Sequence, residues 1–281
     1  MHKVTCAALA AASLLAVGGC KQATTQNSAS NSEASANGAA PAASADAING
    51  TWKTDMSTFQ LDAKPDQYLL KGGQFSCQTC TPPFTIAADG AFHAVNRPYQ
   101  DHISVKVDDD HDVTRTDQKG GKTVGSAKYS VSSDGNALTV SFNDMTGSKP
   151  VTGSYTETRS APAPAGAHAI SGSWKQQNAA KVSDTGLTVT FNLTGDTLHM
   201  STPTGQSYDA KIGGGAVPVK GDIGGTMASL ARSGDSLVET DTRGGKVISV
   251  TTMTPGADGK LHVVNEDKQS GSTAKFDMTK Q

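Results

Sequence analysis

The chain contains the heptapeptide Thr116-Asp117-Gln118-Lys119-Gly120-Gly121-Lys122 and, 124 residues later, the similar heptapeptide Thr240-Asp241-Thr242-Arg243-Gly244-Gly245-Lys246. Glycine pairs of this kind take the positive φ angles that tight hairpin turns require. An Asp-Gly turn follows each heptapeptide, at Asp134-Gly135 and at Asp258-Gly259. The same order of turns therefore occurs twice, with corresponding turns 124 residues apart. This repetition predicts a duplicated domain built from β-hairpins.

Between these turns, apolar and polar residues alternate with a period of two. Residues 103–107 read Ile-Ser-Val-Lys-Val, and residues 187–191 read Leu-Thr-Val-Thr-Phe. This pattern is typical of strands with one buried face, and we expect about eight short strands in each half. The predicted fold class is therefore all-β, with two tandem antiparallel barrels or sandwiches after a disordered tether.

A third repeated marker opens each half of the chain. Asn49-Gly50-Thr51-Trp52-Lys53 opens the first half and Ser171-Gly172-Ser173-Trp174-Lys175 opens the second. Both resemble the Gly-x-Trp opening of the calycins, a group that includes the lipocalins and the fatty-acid-binding proteins. The resemblance implies that Trp52 and Trp174 are structural residues, each buried by a first strand at the closed end of its own barrel.

In calycins a cationic side chain from a late strand usually covers this tryptophan. The resemblance implies that Arg159 covers the tryptophan of the first domain, and that Lys275 or Lys280 covers that of the second. Such a cation–π contact contributes ~0.5–2 kcal/mol. If each tryptophan serves its own domain, truncating either one should leave the melting of the other domain nearly unchanged.

The start of the chain has the pattern of a signal peptide. A basic start precedes an apolar run, Val4 to Val17, that is too short to span a bilayer, and the run ends at Gly18-Gly19-Cys20. This ending resembles the bacterial lipobox, which implies cleavage before Cys20 and attachment of acyl chains such as palmitate to that cysteine. Because Lys21 rather than an aspartate follows, the resemblance implies an outer-membrane lipoprotein that faces the periplasm.

Two polar, small-residue segments divide the rest of the chain. Both are rich in small residues and poor in large apolar ones, so neither can bury enough surface to fold. The predicted organisation is a signal peptide (1–19), a lipidated cysteine and flexible tether (20–47), a first β domain (48–160), a Pro/Ala linker (161–169) and a second β domain (170–281).

Charge and motifs exclude several classes of function. The formal net charge of −2 gives no basic surface for nucleic acid. The sequence contains no Gly-x-Ser-x-Gly motif and no grouping that would supply a nucleophile, a base and an orienting acid. We therefore expect a non-catalytic protein that needs no cofactor.

Cys77 and Cys80 lie in the one local motif that the second half lacks. Cys6 would leave with the signal peptide and Cys20 would carry lipid, so these two remain as a natural pair in an oxidising compartment. They could form a structural disulfide, a redox pair, or a copper or zinc site completed by His93 and His102. The sequence leaves these alternatives open.

Two further resemblances involve the same cysteines. The tryptophan opening, the Cys-x-x-Cys motif followed by Pro82-Pro83 and the second repeat are similar to those of exported bacterial proteins with two related β domains, a resemblance that implies no function. A lipid anchor, a small barrel and a Cys-x-x-Cys motif are also combined in a copper-associated family of envelope-stress lipoproteins.

The sequence thus favours a binding or accessory module of the cell envelope. Its membrane contact would be the lipid on Cys20, and its ligand a small apolar molecule inside a barrel or an envelope protein. The rival hypothesis is a redox or metal-binding protein that acts through Cys77 and Cys80.

Overall fold

The computed structural model describes residues 45–177 and 179–281. This part is almost entirely antiparallel β-structure, with short 3-10 helices at Ala45–Ile48 and Asp184–Gly186. The predicted all-β fold class is confirmed. Within these ranges no helix has the length and apolar character needed to span a membrane. The predicted signal peptide, Cys20 and residues 21–44 lie outside the described residues.

The described part of the first half forms ten strands, which is more than the eight or so that the alternation predicts. They are, in chain order, β1 (Gly50–Asp62), β2 (Asp66–Lys71), β3 (Gln74–Cys77), β4 (Phe84–Ala87), β5 (Asp89–Ala94), β6 (His102–Val107), β7 (Asp112–Lys119), β8 (Lys122–Val131), β9 (Ala137–Asp144) and β10 (Val151–Ala161).

The described part of the second half forms eleven strands, because the opening strand is split in two. They are β11 (Gly172–Gln176), β12 (Lys181–Val182), β13 (Thr188–Thr194), β14 (Thr197–Ser201), β15 (Ser207–Lys211), β16 (Val217–Pro218), β17 (Met227–Ser233), β18 (Ser236–Arg243), β19 (Lys246–Pro255), β20 (Leu261–Asp267) and β21 (Thr273–Lys280).

The opening strand of each half lies in the sheet of the other half. One sheet, here called the first barrel, has the strand order β4-β3-β2-β11-β10-β9-β8-β7-β6-β5, with β12 beside β10. The other sheet, the second barrel, has the order β15-β14-β13-β1-β21-β20-β19-β18-β17-β16. Both β1 and β11 have therefore been exchanged, and each barrel contains residues from both sides of the linker.

The strand register makes the exchange explicit. Trp52 of β1 lies opposite Val189 of β13 on one side and Lys280 of β21 on the other. Trp174 of β11 lies opposite Asp66 of β2 and Arg159 of β10. Each opening strand thus joins the second and the last strand of the other repeat, and the two exchanges are equivalent.

Both sheets are nearly closed, in different ways. In the second barrel, the edge strands are β15 and β16, and Ser207 of β15 exchanges backbone hydrogen bonds of 3.1 and 2.8 Å with Lys220, which lies two residues after β16. In the first barrel, β4 and β5 are the two edges of the sheet, yet only Ala88 separates them in the chain. One bent segment therefore closes the first barrel covalently.

Each barrel has its own apolar core. Full burial of one large apolar side chain contributes about 1.5–3 kcal/mol. The first core packs around Trp174, Phe75, Ile103, Leu138 and Val140, and the second around Trp52, Phe191, Leu198, Met200 and Tyr208. Each core therefore depends on a tryptophan that the other half of the chain supplies.

The barrel ends opposite the tryptophans face each other. In the first barrel, Gly135 contacts Arg159 at the tryptophan end, whereas the Gly120–Gly121 hairpin lies at the other end of β8 and binds Asp101. The loop 95–101 at this far end reaches the second barrel through Tyr99. We call this region the barrel junction.

Candidate functional site

The two tryptophan ends have one common geometry. The indole nitrogen of Trp52 donates a hydrogen bond of 2.6 Å to the carbonyl oxygen of Ile48, and that of Trp174 donates one of 2.8 Å to Ile170. Both indoles are buried, with 2 % and 0 % exposed. The predicted burial of both tryptophans is therefore confirmed.

The pairing of tryptophans and cations differs from the expectation. The Arg159 guanidinium carbon lies 4.0 Å from the ring centre of Trp174, and Lys280 Nζ lies 5.5 Å from that of Trp52. We expected Arg159 to cover Trp52, and Lys275 or Lys280 to cover Trp174; this was wrong because the opening strands are exchanged. Lys275 pairs with Gln60, away from Trp52.

The glycine of each Gly-x-Trp opening has a backbone conformation that favours glycine, and it lies close to the covering cation. Gly50 has a φ of 130° and Gly172 a φ of 121°, values that residues with a Cβ rarely adopt. A Cβ on Gly50 would lie 2.5 Å from Lys280 Cε, and one on Gly172 would lie 2.8 Å from Arg159 Nη1. The motif therefore serves the structure of these closed ends.

The Cys-x-x-Cys motif forms a disulfide between Cys77 and Cys80 in residues 77–83, here called the disulfide loop. Cys77 is buried in the first core, and Cys80 is partly exposed. Gln78 N donates to Gln67 O at 3.0 Å, and the Thr79 hydroxyl donates to Asp66 at 3.1 Å. The loop is thus fixed to the beginning of β2.

The loop 95–101 connects the disulfide loop with the second barrel. Arg97 donates a hydrogen bond to the carbonyl oxygen of Pro82, and its guanidinium lies 5.2 Å from the ring centre of Phe84. Burial lowers the pKa of Arg97 to about 10, so it stays charged at neutral pH. Two residues later, the Tyr99 hydroxyl accepts a hydrogen bond of 2.6 Å from Arg243.

The structure does not assemble the predicted metal ligands. His93 lies opposite Ile103 and His102 lies opposite Ala94, so the two imidazoles project from opposite faces of the β5–β6 pair. His93 pairs with Asp89 at 2.8 Å, and His102 pairs with Asp101 at 3.0 Å. Among the residues that the structure describes, no three His, Cys, Asp or Glu side chains are grouped to hold a metal ion.

Equivalent positions on β7 and β18 carry buried ionisable pairs. In the first barrel, Arg115 binds both carboxylate oxygens of Asp117 at 2.7 and 3.0 Å. In the second barrel, Glu239 replaces the arginine beside Asp241, the counterpart of Asp117. All four side chains are at most 1 % exposed.

Burial affects the two pairs in opposite ways. Burial alone would lower the pKa of Arg115, but the attraction of Asp117 outweighs it and the pKa is raised above its ordinary value. Burial raises the pKa of Glu239 well above its usual range and that of Asp241 to about 7. The first pair is therefore ionic, whereas the second requires a proton.

Sequence reasoning missed both pairs, although a signal was present. Arg115 and Asp117 continue the inward series that begins with the buried Val113, and the intervening residues are threonines. A charge at such a position is costly unless it is paired. Two charges spaced by two residues on a half-buried strand are therefore candidates for one buried pair.

Comparison of the chain with protein-family models, curated proteins and solved structures gives no match. The internal repeat supplies a comparison of its own. The disulfide loop corresponds to a cysteine-free turn at residues 202–206, and the six-residue β5 corresponds to β16, which has two residues. Phe92 on β5 is 42 % exposed. The segment between residues 77 and 94 therefore differs between the two barrels in its disulfide and in the length of its strand.

Proposed function

We propose that the protein is a non-catalytic binding or accessory module of the bacterial cell envelope, held on a membrane by acyl chains on Cys20. The signal-like start and the lipobox-like ending at Cys20 support this localisation. Several acyl chains on one cysteine hold a protein firmly, because each buried methylene contributes ~0.8 kcal/mol. The absence of aspartate after Cys20 supports the outer membrane, facing the periplasm.

The binding surface is the segment between residues 77 and 94, here called the divergent face. The observation that carries this proposal is that the disulfide loop and the long β5 occur in only one of the two barrels, whose strands follow the same order. Features needed only to fold this barrel would be expected in both repeats. The exposed ring of Phe92 supplies the kind of aromatic anchor that concentrates binding energy at protein interfaces.

An envelope protein fits this face better than a small apolar ligand fits a barrel interior. Large side chains fill the interiors, and the ends opposite the tryptophans contact each other at the barrel junction. The fully buried side chains include Trp174, Arg115, Tyr208, Phe75 and Phe191. In each barrel, a cation from the last strand covers a buried tryptophan, and this arrangement supports the calycin resemblance. The resemblance concerns the scaffold and does not require a ligand inside the barrel.

Site-specific photo-crosslinking in the producing cells tests this function. Phe92 is replaced by p-benzoyl-phenylalanine in the full-length lipidated chain, and Val247, which is 44 % exposed on the second barrel, is replaced in the control. We expect a discrete protein adduct from position 92 that is absent from position 247. Equal adducts from both positions, or adducts from neither, contradict the proposal.

The anchor is tested separately with Cys20→Ser. We expect this variant to leave the membrane fraction, and mass spectrometry of the unaltered protein to detect acyl chains on its N-terminal cysteine. Retention of Cys20→Ser in the membrane fraction contradicts a lipid anchor. The crosslinking result then still reports on the divergent face, because Phe92 is far from Cys20 in the chain.

The rival redox function rests on the partial exposure of Cys80. It requires a disulfide that cellular thiols can reduce, whereas a structural disulfide resists them. The metal form would first need this disulfide to be reduced, and His93 and His102 would then still lie on opposite strand faces. The reduction potential therefore decides between the structural and the redox role.

A further inference from the structure

The second barrel holds two acidic side chains next to each other in its interior. Glu239 and Asp241 occupy consecutive inward positions of β18 and are 1 % and 0 % exposed. The Tyr208 hydroxyl donates to Glu239 Oε2 at 2.6 Å, and the Ser249 hydroxyl donates to Asp241 Oδ2 at 2.9 Å. Glu239 Oε1 and Asp241 Oδ1 have no donor among the other described residues, and the two carboxyl groups lie within hydrogen-bonding reach of each other.

The charged groups around this pair do not neutralise it. Asp222 adds negative charge from the segment before β17, and Arg243 lies two residues further along β18. Arg243 Nη2 donates to the Tyr99 hydroxyl at 2.6 Å and to Thr226 at 3.0 Å, and so holds the barrel junction. Tyr208 from β15 and Ser249 from β19 are the neutral donors described above.

The first barrel provides the contrast. At the position of Glu239 it has Arg115, whose guanidinium neutralises Asp117 without a proton. In the second barrel, both of these positions carry a carboxyl group. The pair avoids a double negative charge only if at least one of the two carboxyl groups binds a proton. Two ionised carboxylates in a barrel interior would repel each other, and each would have a single hydroxyl donor to stabilise its charge.

We propose that Glu239 and Asp241 share a proton and that its loss at rising pH loosens β18 and weakens the barrel junction at Arg243. At these two positions the second barrel depends on a bound proton, whereas the first barrel, with its Arg115–Asp117 ion pair, does not. Deprotonation would place a second negative charge near Arg243, which competes with Tyr99 for the guanidinium.

The direction of the effect follows from the protonation of the folded and unfolded states. Burial raises the pKa of Asp241 to about 7, and raises that of Glu239 well above its usual range. An unfolded chain releases both protons near pH 4. The contribution of this pair to the free energy of unfolding is therefore largest below about pH 4 and is lost as the pH rises through about 7.

Hydrogen exchange on the full chain tests the proposal. Protection factors, corrected for the intrinsic pH dependence of exchange, are measured for β18 and for the equivalent strand β7 at pH 5 and pH 8. The folded state binds these protons more tightly than the unfolded state does. For each proton, the equilibrium constant of unfolding therefore rises by up to about tenfold per pH unit between the pKa of the unfolded state and that of the folded state. We therefore expect β18 protection to fall about tenfold or more. Protection of β7 should fall less than that of β18, because local opening of β18 leaves β7 in place, and an equal fall in both strands would overturn the proposal.

Matched variants identify the groups responsible. Glu239→Gln combined with Asp241→Asn should abolish the pH dependence of β18, and each single variant should reduce it. Glu266→Gln, at a partly exposed position of the same barrel, should retain the full decline. If the double variant does not fold, the single variants decide. Unchanged β18 protection in the unaltered protein, or a full decline without these carboxyls, overturns the proposal.

Discussion

Arg159 and Trp174 lie on opposite sides of the linker in the chain, yet the guanidinium of one covers the indole of the other at 4.0 Å. Three carbonyl oxygens hold the guanidinium in place, those of Gly135, Ala169 and Ser171. This contact exists because β11 lies in the first barrel. The equivalent contact of Lys280 with Trp52 exists because β1 lies in the second.

Truncating either tryptophan should destabilise both barrels together. Trp52→Ala and Trp174→Ala should each lower the free energy of unfolding by ~3–5 kcal/mol. Because each barrel holds the opening strand of the other half of the chain, unfolding of one barrel releases a strand that is continuous with the other barrel. We expect calorimetry to detect one shared transition that each variant lowers. A transition that stays at its original temperature in either variant argues against this coupling. The contiguous-domain expectation predicts such an unaffected transition.

Substitution by alanine should destabilise the protein to different extents at the two opening glycines, Gly50 and Gly172. Gly172→Ala places a Cβ 2.6 Å from the backbone oxygen of Ala161, whereas Gly50→Ala meets the flexible end of Lys280. Backbone strain of this kind costs about 1–3 kcal/mol. In urea titrations, Gly172→Ala should be the more destabilising of the two. Gly120→Ala also has a positive φ but meets no atom within 4 Å, and is the control for strain alone.

Removal of the disulfide should affect stability and leave metal uptake unchanged. Replacing Cys77 and Cys80 by serine should cost about 2 kcal/mol, because the closed loop is short. A structural role also predicts a reduction potential below about −300 mV. A much higher potential, or metal uptake by the reduced protein that Cys77→Ser abolishes, would favour the redox or metal hypothesis.

The Arg115–Asp117 pair should show the cost of breaking a buried ion pair. Arg115→Met leaves the Asp117 carboxylate without its partner and should cost ~3–5 kcal/mol. Adding Asp117→Leu should recover a large part of this loss, because two apolar side chains need no partner. Urea denaturation of the single and double variants measures the difference. Equal stability of both variants would contradict a tightly coupled pair.

The strands and turns could be predicted because their signals are local. Alternation defines the strands, and the predicted turn glycines Gly120, Gly121, Gly244 and Gly245 all have positive φ angles. Burial of both tryptophans was implied by the resemblance of the repeated opening to the Gly-x-Trp motif of the calycins. These features depend on residues close together in the chain, where propensity and pattern are informative.

The strand exchange could not be predicted in this way, because each opening strand can pair equally well with the remaining strands of either half. The openings around Trp52 and Trp174 are nearly identical, so either fits either barrel. One signal was present in the connections. Residues 63–65, Ala-Lys-Pro, contain none of the glycine or asparagine residues that favour a tight hairpin between β1 and β2.

Cleavage of the linker tests the strand exchange most directly. A protease site is placed within residues 161–169, the folded protein is cut, and the product is analysed by size-exclusion chromatography without denaturant. We expect the two fragments to elute together, because each barrel keeps a strand from the other fragment, and to separate only in denaturant. Tyr99→Phe, which weakens the barrel junction, should not release them. Separation of the cut fragments under native conditions would contradict the exchange.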